Sequence, residues 1–103
     1  MNDSNTFLVE ILRSLTSIPS PSGRNEQIVG WRVYRLQSWG FEPELTRRGA
    51  IKLKLPGKDS SRARALTAHL DKLGSMLRHL KDNGRCAMAP VGTWSSRIAE
   101  GAR

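Results

Sequence analysis

Two histidines, one cysteine and nine carboxylates are the side chains of this 103-residue sequence best suited to hold a metal ion or pass a proton. They come together most suggestively at Thr67, Ala68, His69, Leu70 and Asp71. Residues two apart in an extended segment point to the same side, so His69 and Asp71 can face one cavity. A neutral imidazole binds zinc through one ring nitrogen, and its other N–H needs an acceptor that fixes the tautomer. Asp71 is placed to help supply that acceptor, directly or as part of a supporting shell. This makes His69 the candidate metal ligand and Asp71 the acid that works with it. Taken alone, a His-x-Asp pair is common, and a hydrogen-bonded structural histidine is the competing reading.

Other chemistry finds less support. Gly49 to Lys58 holds two glycines and a lysine, but seven residues separate the glycines and the serine or threonine of a phosphate loop is absent. There is no G-x-S-x-G elbow, and no serine has a histidine and an acid at a recognisable spacing. His79, between Arg78 and Leu80, reads as a surface or partly buried side chain. Cys86 has no internal partner for a disulfide and is expected to be a small buried residue.

The elements that must position His69 and Asp71 can be read from periodicity. Phe7, Leu8, Ile11, Leu12 and Leu15 recur at spacings of three and four, which predicts a helix over 3–17, capped by Asp3 or Ser4. Pro19 and Pro21 stop it. A second helix is expected from about Arg24 to Trp39, with Ser22 as its cap and Gly40 at its end. Ile28, Val29, Val33 and Leu36 form its apolar stripe, and Trp31, Tyr34 and Trp39 pack at the flanks. Beyond Gly40 the period falls to two. Strands are expected over 41–46 and 51–55, around a turn at Arg47, Arg48 and Gly49. A polar loop over 56–61 leads to a short apolar strand, Ala63 to Ala68, fit for the middle of a sheet. If so, His69 sits at that strand's C-terminal end, where open α/β sheets bind ligands. Met76, Leu77 and Leu80 predict one more strand, Asp82, Asn83 and Gly84 a turn, and Cys86 to Val91 the returning hairpin partner. The tail from Gly92 to Arg103 has no clear period. Two helices followed by strands make an α/β or α+β chain.

Composition narrows the partners. Seventeen Lys and Arg against nine Asp and Glu give a net charge of +8, which raises the question of nucleic acid. The cations are spread thinly, however. Arg47-Arg48 and Arg62 with Arg64 are the tight pairs, and neither sits among the aromatic rings that single-strand binding uses. The longest stretch without a charge is the eleven residues from Cys86 to Ser96, well short of the roughly 18–20 apolar residues of a membrane span. No basic start or long apolar run marks a secretory signal, so a cytoplasmic location is expected.

The order of the motifs resembles a known family. Leu15 to Gly23, reading LTSIPSPSG, is similar to the opening of the co-catalytic di-zinc aminopeptidases of the glutamyl aminopeptidase, tetrahedral (TET) family. The resemblance continues through Arg48-Gly49-Ala50-Ile51, Leu55-Pro56-Gly57-Lys58, Ala68-His69-Leu70-Asp71-Lys72-Leu73-Gly74, Asp82-Asn83-Gly84 and Pro90-Val91-Gly92-Thr93-Trp94. Glu44 to Ile51 and Trp94 to Arg103 look most like the branch associated with the osmoprotectant N-acetylglutaminylglutamine amide.

The resemblance implies a zinc-dependent exopeptidase acting on peptide substrates. Two divalent ions, zinc or cobalt, would share a water, lower its pKa and polarise the scissile carbonyl. His69 matches the first histidine ligand. Asp71 matches the catalytic aspartate that orients it. Lys72 departs from the family, where many members carry an acid. Relatives run to several hundred residues and are homo-oligomers, with the catalytic Glu, the bridging Asp, the other carboxylate ligands and the second His downstream. The expectation is therefore a truncated fragment, inactive alone, since each zinc takes about four ligands. Residues 1–80 would be the N-terminal part of the catalytic domain, a partial zinc-peptidase-like sheet with two helices. Residues 81–103 would be a hairpin and the lead-in to an inserted assembly domain. The alternatives are a small basic binding module for nucleic acid or a protein partner, and a remnant with no function of its own.

Overall fold

The computed structural model describes residues 3–59 and 61–101. Helix α1 spans Asp3–Ser17, the extent its apolar periodicity predicts. Asp3 lies in its first turn, where a negative charge suits the helix dipole, so the capping position falls outside the described residues. The hydroxyls of Ser14, Thr16 and Ser17 donate back to carbonyls of the preceding turn, and the prolines beyond prevent the helix from continuing. Helix α2 spans Glu26–Ser38. Its capping position is Asn25, not Ser22, and Asn25 makes no side-chain bond to the helix. The Asn25 amide instead faces two loop carbonyls, so its NH2 points at them, with Pro21 O at 3.0 Å and Ser20 O at 3.3 Å. Phe7 of α1 meets Trp39 beyond α2 at 5.5 Å between ring centroids, and Arg32 and Arg35 lie over the Trp39 ring.

Strands β1 (Glu44–Leu45) and β2 (Ile51–Lys52) form a short antiparallel hairpin. Its turn is closed by Thr46 N to Ala50 O at 2.8 Å and by Ala50 N to the Thr46 hydroxyl at 3.0 Å. Strands β3 (Gly74–Leu80) and β4 (Cys86–Val91) form a longer one, with a register shift between Leu77 and His79. Both turns place a glycine, Gly49 or Gly84, at positive φ, as a three-residue hairpin loop requires. A 3-10 turn, Ser96–Ala99, follows. The two hairpins are separate two-stranded sheets. The result is a mixed helix and strand fold.

Two expectations are corrected. Residues 63–68 form no strand, and Leu66 is 102% exposed. A central strand exists only between neighbours, and the described residues offer this one none. Cys86 is exposed rather than buried, because β4 turns Cys86, Met88 and Pro90 outward and Ala87, Ala89 and Val91 inward.

The core is small. Ile28 and Leu36 of α2 are its buried apolar side chains among the described residues. The chain exposes 9675 Å², against about 5,800 Å² for a compact protein of this mass. Its radius of gyration is 18.4 Å, where a compact chain of this length has about 13 Å. Phe7, Leu8, Leu12, Met76, Leu77, Leu80 and Met88 all stand exposed.

Candidate functional site

Residues 70–72 are held in place by a loop far away in sequence. Pro21 and Lys72 form a parallel bridge, and the Lys72 amide donates to Ser20 O at 2.7 Å. The Ser20 hydroxyl, fully buried, donates to Leu70 O at 3.0 Å. The Ser22 hydroxyl donates to Asp71 Oδ2 at 2.6 Å. The Lys72 ammonium donates to Thr16 O at 2.6 Å. Helix α1 has no basic residue in its own last turn, so Lys72 supplies the cation that the C-terminal end of a helix favours. The charge of Lys72 is thereby drawn to a helix terminus.

Gly74 completes the junction. A Cβ at this position would lie 2.9 Å from Pro21 Cβ, closer than carbon atoms pack. The carbonyl of Gly74 and that of Val91, its partner across the hairpin, both accept from the Trp94 indole N–H, at 3.1 and 3.2 Å. The glycine and the tryptophan of the ordered motif series thus have one structural purpose. They bring the base of the β3–β4 hairpin against the loop that stitches residues 70–72.

On this support His69 and Asp71 do turn to one side. His69 Nδ1 lies 3.0 Å from the Asp71 carbonyl oxygen and 3.2 Å from Asp71 Oδ1. A carbonyl can only accept, and so can an ionised carboxylate. Nδ1 therefore carries the proton, and Nε2 of the neutral ring keeps its lone pair. The His69 side chain is 85% exposed and that of Asp71 41%. The Ser22 hydroxyl holds the Asp71 carboxyl below the usual aspartate range, partly opposed by desolvation. Both residues line an open cleft of about 780 Å³ between α2, the β1–β2 turn and residues 68–71. Val29, Gly30 and Val33 form its apolar wall, and Glu26 and Arg48 its charged rim.

No group of three or more His, Cys, Asp or Glu side chains is gathered among the described residues. His79 is exposed on β3. The chain therefore offers one imidazole nitrogen suited to a divalent ion, with its support built, and falls short of the donors that a zinc ion takes. Sequence reasoning missed Ser22 and Lys72 as partners of this segment. Ser20 and Ser22, two apart beside prolines, carried a faint signal of a shared face. Lys72 carried none.

The same stretch of chain matches known proteins. A sequence profile described as M42 glutamyl aminopeptidase matches residues 49–103. The protein described as "Putative aminopeptidase YhfE" of Bacillus subtilis (strain 168) is 36% identical over 93 residues, 90% of this chain and 27% of that protein. The glutamyl aminopeptidase of Lactococcus lactis subsp. cremoris (strain MG1363) is 27% identical over 97 residues, 93% of this chain and again 27% of that protein. The chain thus spans about a quarter of the length of these curated relatives. No described helix is long and apolar enough to cross a membrane.

Proposed function

The chain belongs to the M42 glutamyl aminopeptidase family, and on that footing we propose that it is the N-terminal part of the catalytic domain of a metal-dependent aminopeptidase. His69 is a metal ligand through Nε2, and Asp71 positions it. The observation that carries this reading is the pair of acceptors on Nδ1, which leaves Nε2 as the lone-pair nitrogen on an exposed ring at a cleft. A zinc or cobalt pair supplies, when bound, an activated water and a polarised scissile carbonyl.

What the chain's own residues do is more limited. Asp71 and the loop at 20–22 hold the imidazole in one tautomer and one pose. The apolar wall of α2 lines the cleft beside it. His69 and its carboxylate partner leave most of the ligand set to be supplied from outside the described residues, so residues 1–103 alone are inactive. The large exposed apolar surface and the segment 63–68, which pairs with no strand among the described residues, fit a domain completed by further chain. Peptides are the substrates, the complete enzyme is a cytoplasmic homo-oligomer, and residues 81–103 lead toward its assembly domain. The wording of Glu44–Ile51 and Trp94–Arg103 supports the osmoprotectant-associated branch.

The test is a chimera in which this chain replaces the matching 97-residue segment of the Lactococcus enzyme. The folded chimera should release N-terminal residues from peptides in a metal-dependent way, and His69→Ala should abolish this without unfolding it. A folded chimera that is inactive, or one in which His69→Ala is fully active, overturns the proposal. Peptide hydrolysis by residues 1–103 alone would contradict the inactive-part reading.

A further inference from the structure

The Asp71 carboxylate has both oxygens engaged within the chain. Oδ1 faces His69 Nδ1 at 3.2 Å, and Oδ2 accepts from the Ser22 hydroxyl at 2.6 Å. We infer that Ser22 is a positioning residue for the metal ligand, acting through Asp71, so that a Ser22–Asp71–His69 relay sets the direction of Nε2. This rests on the reading of His69 as a metal ligand and deepens it.

The geometry supports a relay rather than an incidental contact. Ser22 lies in the linker between α1 and α2, and that linker is fixed to residues 70–72 at two further points. These are the Lys72 amide on Ser20 O and the buried Ser20 hydroxyl on Leu70 O. The hydroxyl therefore approaches Asp71 from a fixed base. Asp71 otherwise swings about its χ1 and χ2 bonds, and a carboxylate free to rotate gives the imidazole no single direction. With Oδ2 tied, Oδ1 stays toward Nδ1, beside the Asp71 carbonyl that shares the same proton. A consequence is that Asp71 acts through His69. The α1–α2 linker, 49 residues away in sequence from Asp71, becomes part of the site. Residues that hold a metal-ligating histidine in this manner commonly change metal affinity about 10- to 100-fold when removed. Ser22 stands one step further out, so its removal should cost roughly three- to tenfold.

The experiment uses the full chain with Ser22→Ala and Ser22→Thr, the latter keeping the hydroxyl. Without metal, NMR couplings should show Asp71 in one χ1 rotamer in the parent and in Ser22→Thr, and averaging in Ser22→Ala. Amide shifts of α1 and of the β3–β4 hairpin should stay in place, separating loss of the relay from loss of the loop. In the chimera with the Lactococcus enzyme, which supplies the remaining ligands, zinc titration followed at the His69 ring should give weaker binding by about three- to tenfold for Ser22→Ala and near-parent binding for Ser22→Thr. An Asp71 that stays fixed in Ser22→Ala, equal zinc affinity of parent and Ser22→Ala, or equal loss in both variants overturns the relay. Absence of any zinc response at His69 in the parent chimera overturns the ligand assignment first, and the relay with it. The metal-free couplings distinguish that case from failure of the relay alone.

Discussion

Replacing Gly74 by alanine should open the junction that carries the site. The added Cβ would stand 2.9 Å from Pro21 Cβ, while carbon atoms pack at about 3.5–4.0 Å. At least about 0.6 Å must be found, and neither side yields easily. Pro21 Cβ belongs to a closed ring, and Pro21 itself is bridged to Lys72. Gly74 is fixed by its place opposite Val91 and by Trp94 on its carbonyl. Overpacking of this kind costs about 1–3 kcal/mol. The bond that senses it is Lys72 N to Ser20 O, 2.7 Å long and two residues from the clash. Hydrogen exchange at the Lys72 amide should therefore accelerate by roughly 5- to 150-fold in Gly74→Ala, if exchange follows the local opening equilibrium. The control is Gly30→Ala in α2, where a new Cβ meets nothing within 4 Å. That change should stabilise the helix by about 0.5–1 kcal/mol and leave Lys72 exchange unaltered or slower. Unchanged exchange at Lys72 in Gly74→Ala would refute the claim that this glycine exists to admit Pro21.

Three further outcomes are expected. Lys72→Met should fray the last turn of α1, losing on the order of 1 kcal/mol of local stability, while Lys72→Arg retains it; equal exchange of the α1 C-terminal amides in both would show that the ammonium contributes nothing. Cys86 should react with a thiol reagent at the rate of an exposed cysteine without denaturant, and protection in the folded chain would contradict the outward face of β4. The Asp71 carboxyl should titrate below the ordinary aspartate range and move back up in Ser22→Ala. Its folded value lies below its unfolded one, so its contribution to stability is complete above the unfolded value and is lost as pH falls through the folded one; an NMR titration with no difference between parent and variant would remove Ser22 as the cause.

What was legible in the sequence was local. Helix α1 follows from spacings of three and four ended by prolines, and the β3–β4 hairpin follows from alternation around Asp82, Asn83 and Gly84. These signals are complete within a dozen residues. Residues 63–68 show the limit, since their pattern describes a strand, and the described residues supply no hydrogen-bond partner for one. Cys86 failed for a related reason. The type of residue says it is often buried, but which face of β4 is covered depends on what packs there. The approach of His69 to Asp71 was readable from their spacing of two. The bonds that hold that pair, Ser22 to Asp71 and Lys72 to Thr16, join residues 49 and 56 positions apart. They arise from tertiary placement of the α1–α2 linker, which no local pattern encodes. The family resemblance pointed to His69 and Asp71, and the structure gives Gly74, Trp94 and Ser22 of the same motifs contacts that hold that segment.

The most direct test is a long-range nitrogen–proton NMR spectrum of the two histidine rings, recorded with and without zinc. In the metal-free chain at a pH where the ring is neutral, His69 should appear as the Nδ1–H tautomer. In the chimera with the Lactococcus enzyme, which supplies the remaining ligands, zinc should then shift its Nε2 resonance selectively, leaving His79 unmoved. A His69 ring protonated at Nε2, or zinc acting equally on both rings or on neither, would contradict the account.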